Sequence, residues 1–71
     1  MSGDPFWGTA IGHLNEIFNA AMMLTRERTA AQDLVQETYR VALEHRGQLE
    51  ELGRCRVWLL RIPRNLHVDS L

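Results

Sequence analysis

Apolar residues recur at three- and four-residue steps along the whole chain, the spacing of helices that each bury one face. In the first third, Trp7, Ala10, Ile11, Leu14, Ile17, Phe18, Ala21 and Met22 form one such stripe. It predicts a single helix over about residues 4–24, with Asp4 as N-cap and Pro5 at the first helical position, where a missing N–H is harmless. Gly8 and Gly12 weaken its first turns. Residues 25–28 are a polar break. Thr29 and Gln32 then have the spacing of a capping box, in which each side chain serves the other's backbone N–H. They predict a second helix with Ala31, Leu34, Val35, Thr38, Val41 and Ala42 on its apolar face. Asp33, Gln36, Glu37, Arg40 and Glu44 share its polar face. Gly47 predicts a left-handed stop just after His45.

Residues 48–53 form a polar connector with room for a helical turn. A third helix is expected from about Arg54, with Cys55, Trp58, Leu59, Ile62 and Leu66 as its stripe. Pro63 falls inside it. A proline there removes one backbone hydrogen bond and crowds the Leu59 carbonyl, at a cost of ~3 kcal/mol in a helix interior. A kink or a fresh helical turn is expected at that point. No segment alternates with the period of a strand. The fold class that follows is all-α: a compact bundle of three or four helices, one domain over residues 1–71.

Composition narrows the class further. A chain of 71 residues makes one small domain. Cys55 is the single cysteine, so no internal disulfide framework is possible. The longest apolar runs, residues 20–24 and 57–60, are too short to cross a bilayer, and the first five residues carry no basic signal-peptide region. A cytoplasmic protein without a membrane anchor is expected. The net charge of −1 conceals an uneven distribution. Residues 1–53 hold four arginines against eight acids, a net −4, and residues 54–71 hold four arginines against Asp69, a net +3. The basic tip is consistent with a nucleic-acid contact, although a basic helix end also complements its own dipole. All eight cations are arginine, which favours planar, bidentate contacts over point charges.

Catalytic chemistry finds little support. There is no glycine-rich phosphate loop and no nucleophile with a recognisable base. His13, His45 and His67 lie on separate segments and, even with Cys55, match no zinc spacing; they read as solvated or partly packed side chains. Cys55 sits on an apolar stripe and reads as a buried, inert thiol. Asp33 and Glu37, one turn apart, have the spacing to hold a cation, but such surface pairs are more often solvated or ion-paired, here with Arg40. No enzyme, metal or cofactor is expected. Arg54, Arg61, Arg64 and Asn65 can share one helical surface with Trp58 at its margin, a set suited to phosphates and base edges. A lone tryptophan on an apolar stripe is nevertheless more often core than stacking platform.

Two stretches are recognisable together. Asp33-Leu34-Val35-Gln36-Glu37-Thr38-Tyr39 resembles region 2 of bacterial sigma factors of the extracytoplasmic-function group. Residues 17–25, ending in Leu24-Thr25, resemble the family's first helix, and Ala30-Ala31-Gln32-Asp33 resembles its entry to the second. Trp58-Leu59-Leu60-Arg61-Ile62-Pro63-Arg64-Asn65 is similar to the family's "W-L-x-R-I-x-x-N" helix, with Asp69 at a position where the family often has Asp. The likeness covers about residues 6–69, with two separate motifs in the right order.

The resemblance implies roles for individual residues. The face with Asp33, Gln36 and Glu37, and Arg40 beside them, is expected to dock on a coiled coil of the RNA polymerase β′ subunit. Arg54, Arg56, Arg61, Arg64 and Asn65 are expected to lie against the −10 promoter element, on its non-template strand. The loop over residues 46–53 is expected to approach the displaced strand and hold an extruded base. An anti-sigma factor is an expected partner. A second reading stays open. Glu50 and Glu51 sit where the strand would pass, and Pro63 falls within the recognition helix. A sigma-like interaction module could keep the fold and bind polymerase, an anti-sigma factor or a second copy of itself as a homodimer, without reading DNA. No −35-reading domain follows in this sequence, so half of a longer initiation factor, or a short sigma-like protein, is expected.

Overall fold

The computed structural model describes residues 5–71. Its elements are α1 (Pro5–Ile11), α2 (Leu14–Thr25), α3 (Arg28–Glu44) and α4 (Cys55–Asp69), with 3-10 turns at Arg46–Gln48 and Leu52–Arg54 between α3 and α4. No strand occurs among the described residues, and the chain is an all-α bundle. Helices α2, α3 and α4 pack on one another, and α1 lies against α4. Phe6, Ala10, Ile17, Tyr39, Ala42, Cys55 and Leu59 make the core cluster, with Val35, Leu49, Trp58, Leu60 and Ile62 packed around it. Four alanines at the helix contacts, Ala10, Ala21, Ala31 and Ala42, are fully buried. Side chains this small let helix backbones approach closely without leaving a void.

The first predicted helix is two helices. The chain turns at Gly12 and His13, where the Gly12 N–H reaches Gly8 and the His13 N–H reaches Ala10 in a tighter, 3-10-like bond of 3.1 Å. Two glycines within five residues each cost about 1 kcal/mol of helix propensity, and the turn lets α1 tilt onto α4. The tilt changes part of the buried face. Phe6 joins Ala10 of the predicted stripe in the core, while Trp7, Ile11 and Leu14 of that stripe remain 41%, 39% and 41% exposed. The proposed cap, Asp4, lies outside the described residues.

The second predicted helix starts earlier and by another device. Glu27 is the N-cap of α3, and its carboxylate accepts hydrogen bonds from the Thr29 N–H at 3.1 Å and the Ala30 N–H at 2.6 Å. Two of the four orphan amides of the first turn are satisfied at once, and a negative charge sits at the positive end of the helix dipole. Thr29 and Gln32 therefore ride inside α3 and do not form a capping box. These bonds hold the Glu27 carboxyl below the usual carboxylate range.

The left-handed position is also displaced. Among the described residues no glycine has a positive φ. Gly47 lies within a 3-10 turn, because the chain leaves α3 through continued right-handed turns. Arg26 instead takes φ 59° and ψ 22°, and its N–H closes α2 on the Met22 carbonyl at 2.7 Å. Pro63 does not end its helix either: α4 continues from Cys55 to Asp69 without a fresh start. The Pro63 ring is fully buried, so apolar burial offsets the hydrogen bond it cannot make.

Candidate functional site

The polar face of α3 carries its residues as the helical period requires. Asp33, Gln36 and Arg40 are exposed and Glu37 is half-buried. Arg40 is held in place by its neighbours: its Nε donates to Glu37 at 3.1 Å and its Nη1 to Glu44 at 2.7 Å. The Arg40 guanidinium lowers the Glu37 pKa, and Glu37 and Glu44 raise that of Arg40. Arg40 is thus largely neutralised by two acids one turn to either side. Asp33 has no hydrogen-bond or ion-pair partner among the described residues. With Glu37 it borders an open groove of about 580 Å³ whose far wall is Leu66, His67 and Ser70 at the end of α4. The groove combines an acidic lip with an apolar floor of Ala30 and Leu34, a surface that suits a partner helix carrying arginine.

The arginine tip divides into two sets. Arg61, Arg64 and Asn65 are exposed on one side of α4 and line a shallow groove with Val68 and Asp69. Neither Arg61 nor Arg64 has an ion-pair partner among the described residues. Arg54 lies on the same side and pairs with Glu51 across 3.2 Å. Arg56 follows two residues later, ~200° round the helix. It faces α2 and bonds Glu16, forty residues earlier. The other Glu16 oxygen lies 2.9 Å from His13 Nδ1. The Glu16 pKa is lowered, first by Arg56 and then by His13. The structure therefore brings Arg54, Arg61, Arg64 and Asn65 together and places Arg56 apart, as a tie between α4 and α2.

Two adjoining concavities connect this tip to the connector. The larger, about 600 Å³, is bounded by Gln48, Leu49, Glu50 and Glu51 on one wall and by Arg54, Val57, Trp58 and Arg61 on the other. The smaller, about 340 Å³, shares Gln48, Trp58 and Arg61 with it and adds His45, Ile62 and Asn65. Trp58 has two roles. Its ring packs edge-on against Phe6, with centroids 5.9 Å apart at 79°, and it also lines both grooves. Trp58 packs on the core as the commoner alternative has it, with part of its surface left on the grooves. Gln48 and Val57 were not apparent as groove residues from sequence. The signal for Val57 lies in its spacing, one turn before Arg61 on the same side of α4.

The remaining candidates behave as ordinary packed or surface groups. Cys55 is buried, and burial raises its thiol pKa, away from nucleophilic character. Among the described residues no group of three His, Cys, Asp or Glu side chains is placed to hold a metal ion. No described helix is long and apolar enough to cross a membrane.

The model of the family sigma-70 region 2 matches residues 11–71. The chain belongs to the sigma-70 region 2 family. This family is a transcription-factor domain and not a known enzyme family, and membership implies sigma-factor-like polymerase binding and promoter recognition. The match takes in α2, α3, the connector and α4, and therefore both faces described above. All of α1 except Ile11 precedes the region 2 match. No curated protein and no solved structure shows significant similarity to the chain.

Proposed function

We propose that this chain is the region 2 domain of a sigma factor of the extracytoplasmic-function group, acting in the cytoplasm on two partners at once. The α3 face of Asp33, Gln36, Glu37 and Arg40 docks on the β′ coiled coil of RNA polymerase core. The α4 face of Arg54, Arg61, Arg64 and Asn65, with the connector groove, holds the non-template strand of the −10 element. The observation that carries this reading is the separation of charge within a region 2 chain. Asp33, a carboxylate without a partner among the described residues, edges one groove, and Arg61 and Arg64, arginines without one among them, edge another.

The mechanism is differential binding. Arg61 and Arg64 attract phosphates in either form of the promoter. Trp58 and Val57 on one wall and Leu49 on the other offer apolar surface that only an unstacked base can reach, and aromatic contact with a base is worth about 1–3 kcal/mol. Binding energy available only from the open strand shifts the duplex toward melting. Arg56 takes no direct part; it fixes the start of α4 through Glu16.

The interaction-module reading also has an observation in its favour. Arg54 and Arg56 are engaged by Glu51 and Glu16, and Glu50 stands on the groove wall, so the tip offers a strand fewer free cations than its sequence contains. In that reading the partner is polymerase, an anti-sigma factor or a second copy. Capture of polymerase core on the immobilised chain tests the docking half. Asp33→Arg with Glu37→Arg abolishes capture, and Arg61→Ala with Arg64→Ala leaves it intact. Capture that survives the double charge reversal would remove the α3 face from the account.

A further inference from the structure

We propose that α1 is a brace that presents Trp58 to the connector groove, with Phe6 as the positioning residue. Three contacts anchor this seven-residue helix. Phe6, only 6% exposed, meets the Trp58 ring edge-on. Trp7 meets Tyr39 with ring centroids 6.0 Å apart at 78°. The Tyr39 hydroxyl donates to the Ala10 carbonyl at 2.7 Å. A helix this short does not hold together alone in water, so its order comes from these contacts. The Gly12 turn is what allows α1 to leave the line of α2 and reach α4.

The consequence falls on Trp58. It is half-buried, packs against the core cluster with Phe6 as its edge-on ring partner, and lines both grooves on its other side. An indole fixed by an edge-to-face partner presents a preset surface. A base that packs on it does not have to immobilise the side chain first, which removes an ordering cost from binding. Phe6 thus acts on the bound strand through Trp58 without touching it. All of α1 but Ile11 lies ahead of the family match.

The DNA arm of the test rests on the proposed function; the fluorescence arm does not. In a Trp7→Phe background Trp58 is the only tryptophan. In that full chain, Phe6→Ala is expected to increase quenching of Trp58 by acrylamide. It is expected to weaken binding of a labelled single-stranded DNA oligonucleotide about tenfold, the order of one lost stacking contact. Capture by polymerase core stays at the parent level. Phe6→Leu, which keeps apolar bulk without the ring, stays folded and shows the same two changes in smaller measure. If Phe6→Ala loses its helical circular dichroism, Phe6→Leu decides on the same readouts. Unchanged quenching in a folded variant overturns the brace, and so does an equal loss of DNA and polymerase binding. A parent chain that binds no oligonucleotide even with polymerase core present refutes the proposed function, while Trp58 quenching still decides the brace.

Discussion

The Tyr39 hydroxyl donates a 2.7 Å hydrogen bond to the Ala10 carbonyl, joining residues 29 apart in sequence. The carbonyl lies at the end of α1, where helical partners run out, and it also accepts from the His13 N–H at 3.1 Å. Removing the hydroxyl therefore does not orphan it. Tyr39→Phe is expected to cost about 1 kcal/mol, the net worth of one buried hydrogen bond, in urea unfolding. A loss within error would show that α1 is held by its rings alone.

Arg26 occupies the left-handed region at φ 59°, closing α2. A side chain there costs roughly 1–2 kcal/mol, and the greater unfolded-state entropy of glycine returns about 0.4–1 of it. Arg26→Gly is expected to stabilise the fold by about 0.5–1 kcal/mol, seen as a higher Tm. A lower Tm would mean that the Arg26 side chain makes contacts worth more than the backbone relief.

Glu27 caps α3 as a carboxylate, and its pKa lies below the ordinary 4.5 because the Ala30 and Thr29 amides favour the charged form. A group with a depressed folded pKa stabilises the fold above its unfolded value. That contribution is lost as pH falls through 4.5 and then through the lower folded value. Glu27→Gln is expected to lower Tm at pH 7 and to match the parent in acid well below pH 4.5. Thermal melting across that range checks it; a Tm difference that does not change with pH would contradict the cap.

The helical period read from the chain locates α3 and α4 to within a residue or two, and the α3 face from Asp33 to Glu44 emerges as the spacing requires. What local pattern could not supply is choice among near-equal options. Thr29 and Gln32 fit a capping box, but Glu27 reaches two amides directly and wins. Gly47 suits a left-handed stop, yet the chain exits α3 without one and places that conformation at Arg26. Gly12 marks a weak point in either case; only the burial available to Phe6 and Ala10 on α4 makes the break favourable. The site divides the same way. Spacing gathers Arg61, Arg64 and Asn65. The pairing of Arg56 with Glu16, and the edge-on packing of Trp58 on Phe6, join residues more than thirty apart in sequence and exist only once the bundle closes.

The central claim is that a region 2 chain holds the unpaired −10 strand on the Arg61 and Arg64 side of α4. The direct measurement is fluorescence anisotropy of a labelled single-stranded −10 oligonucleotide titrated with the chain and polymerase core over a range of salt. Binding should weaken as salt rises. Arg61→Ala with Arg64→Ala should remove two phosphate contacts and flatten the log–log salt slope by about 1.4, at roughly 0.7 per phosphate on single strands. Arg56→Ala should leave the slope unchanged. No binding at low salt with polymerase core present, or a salt slope indifferent to Arg61 and Arg64, would contradict the account.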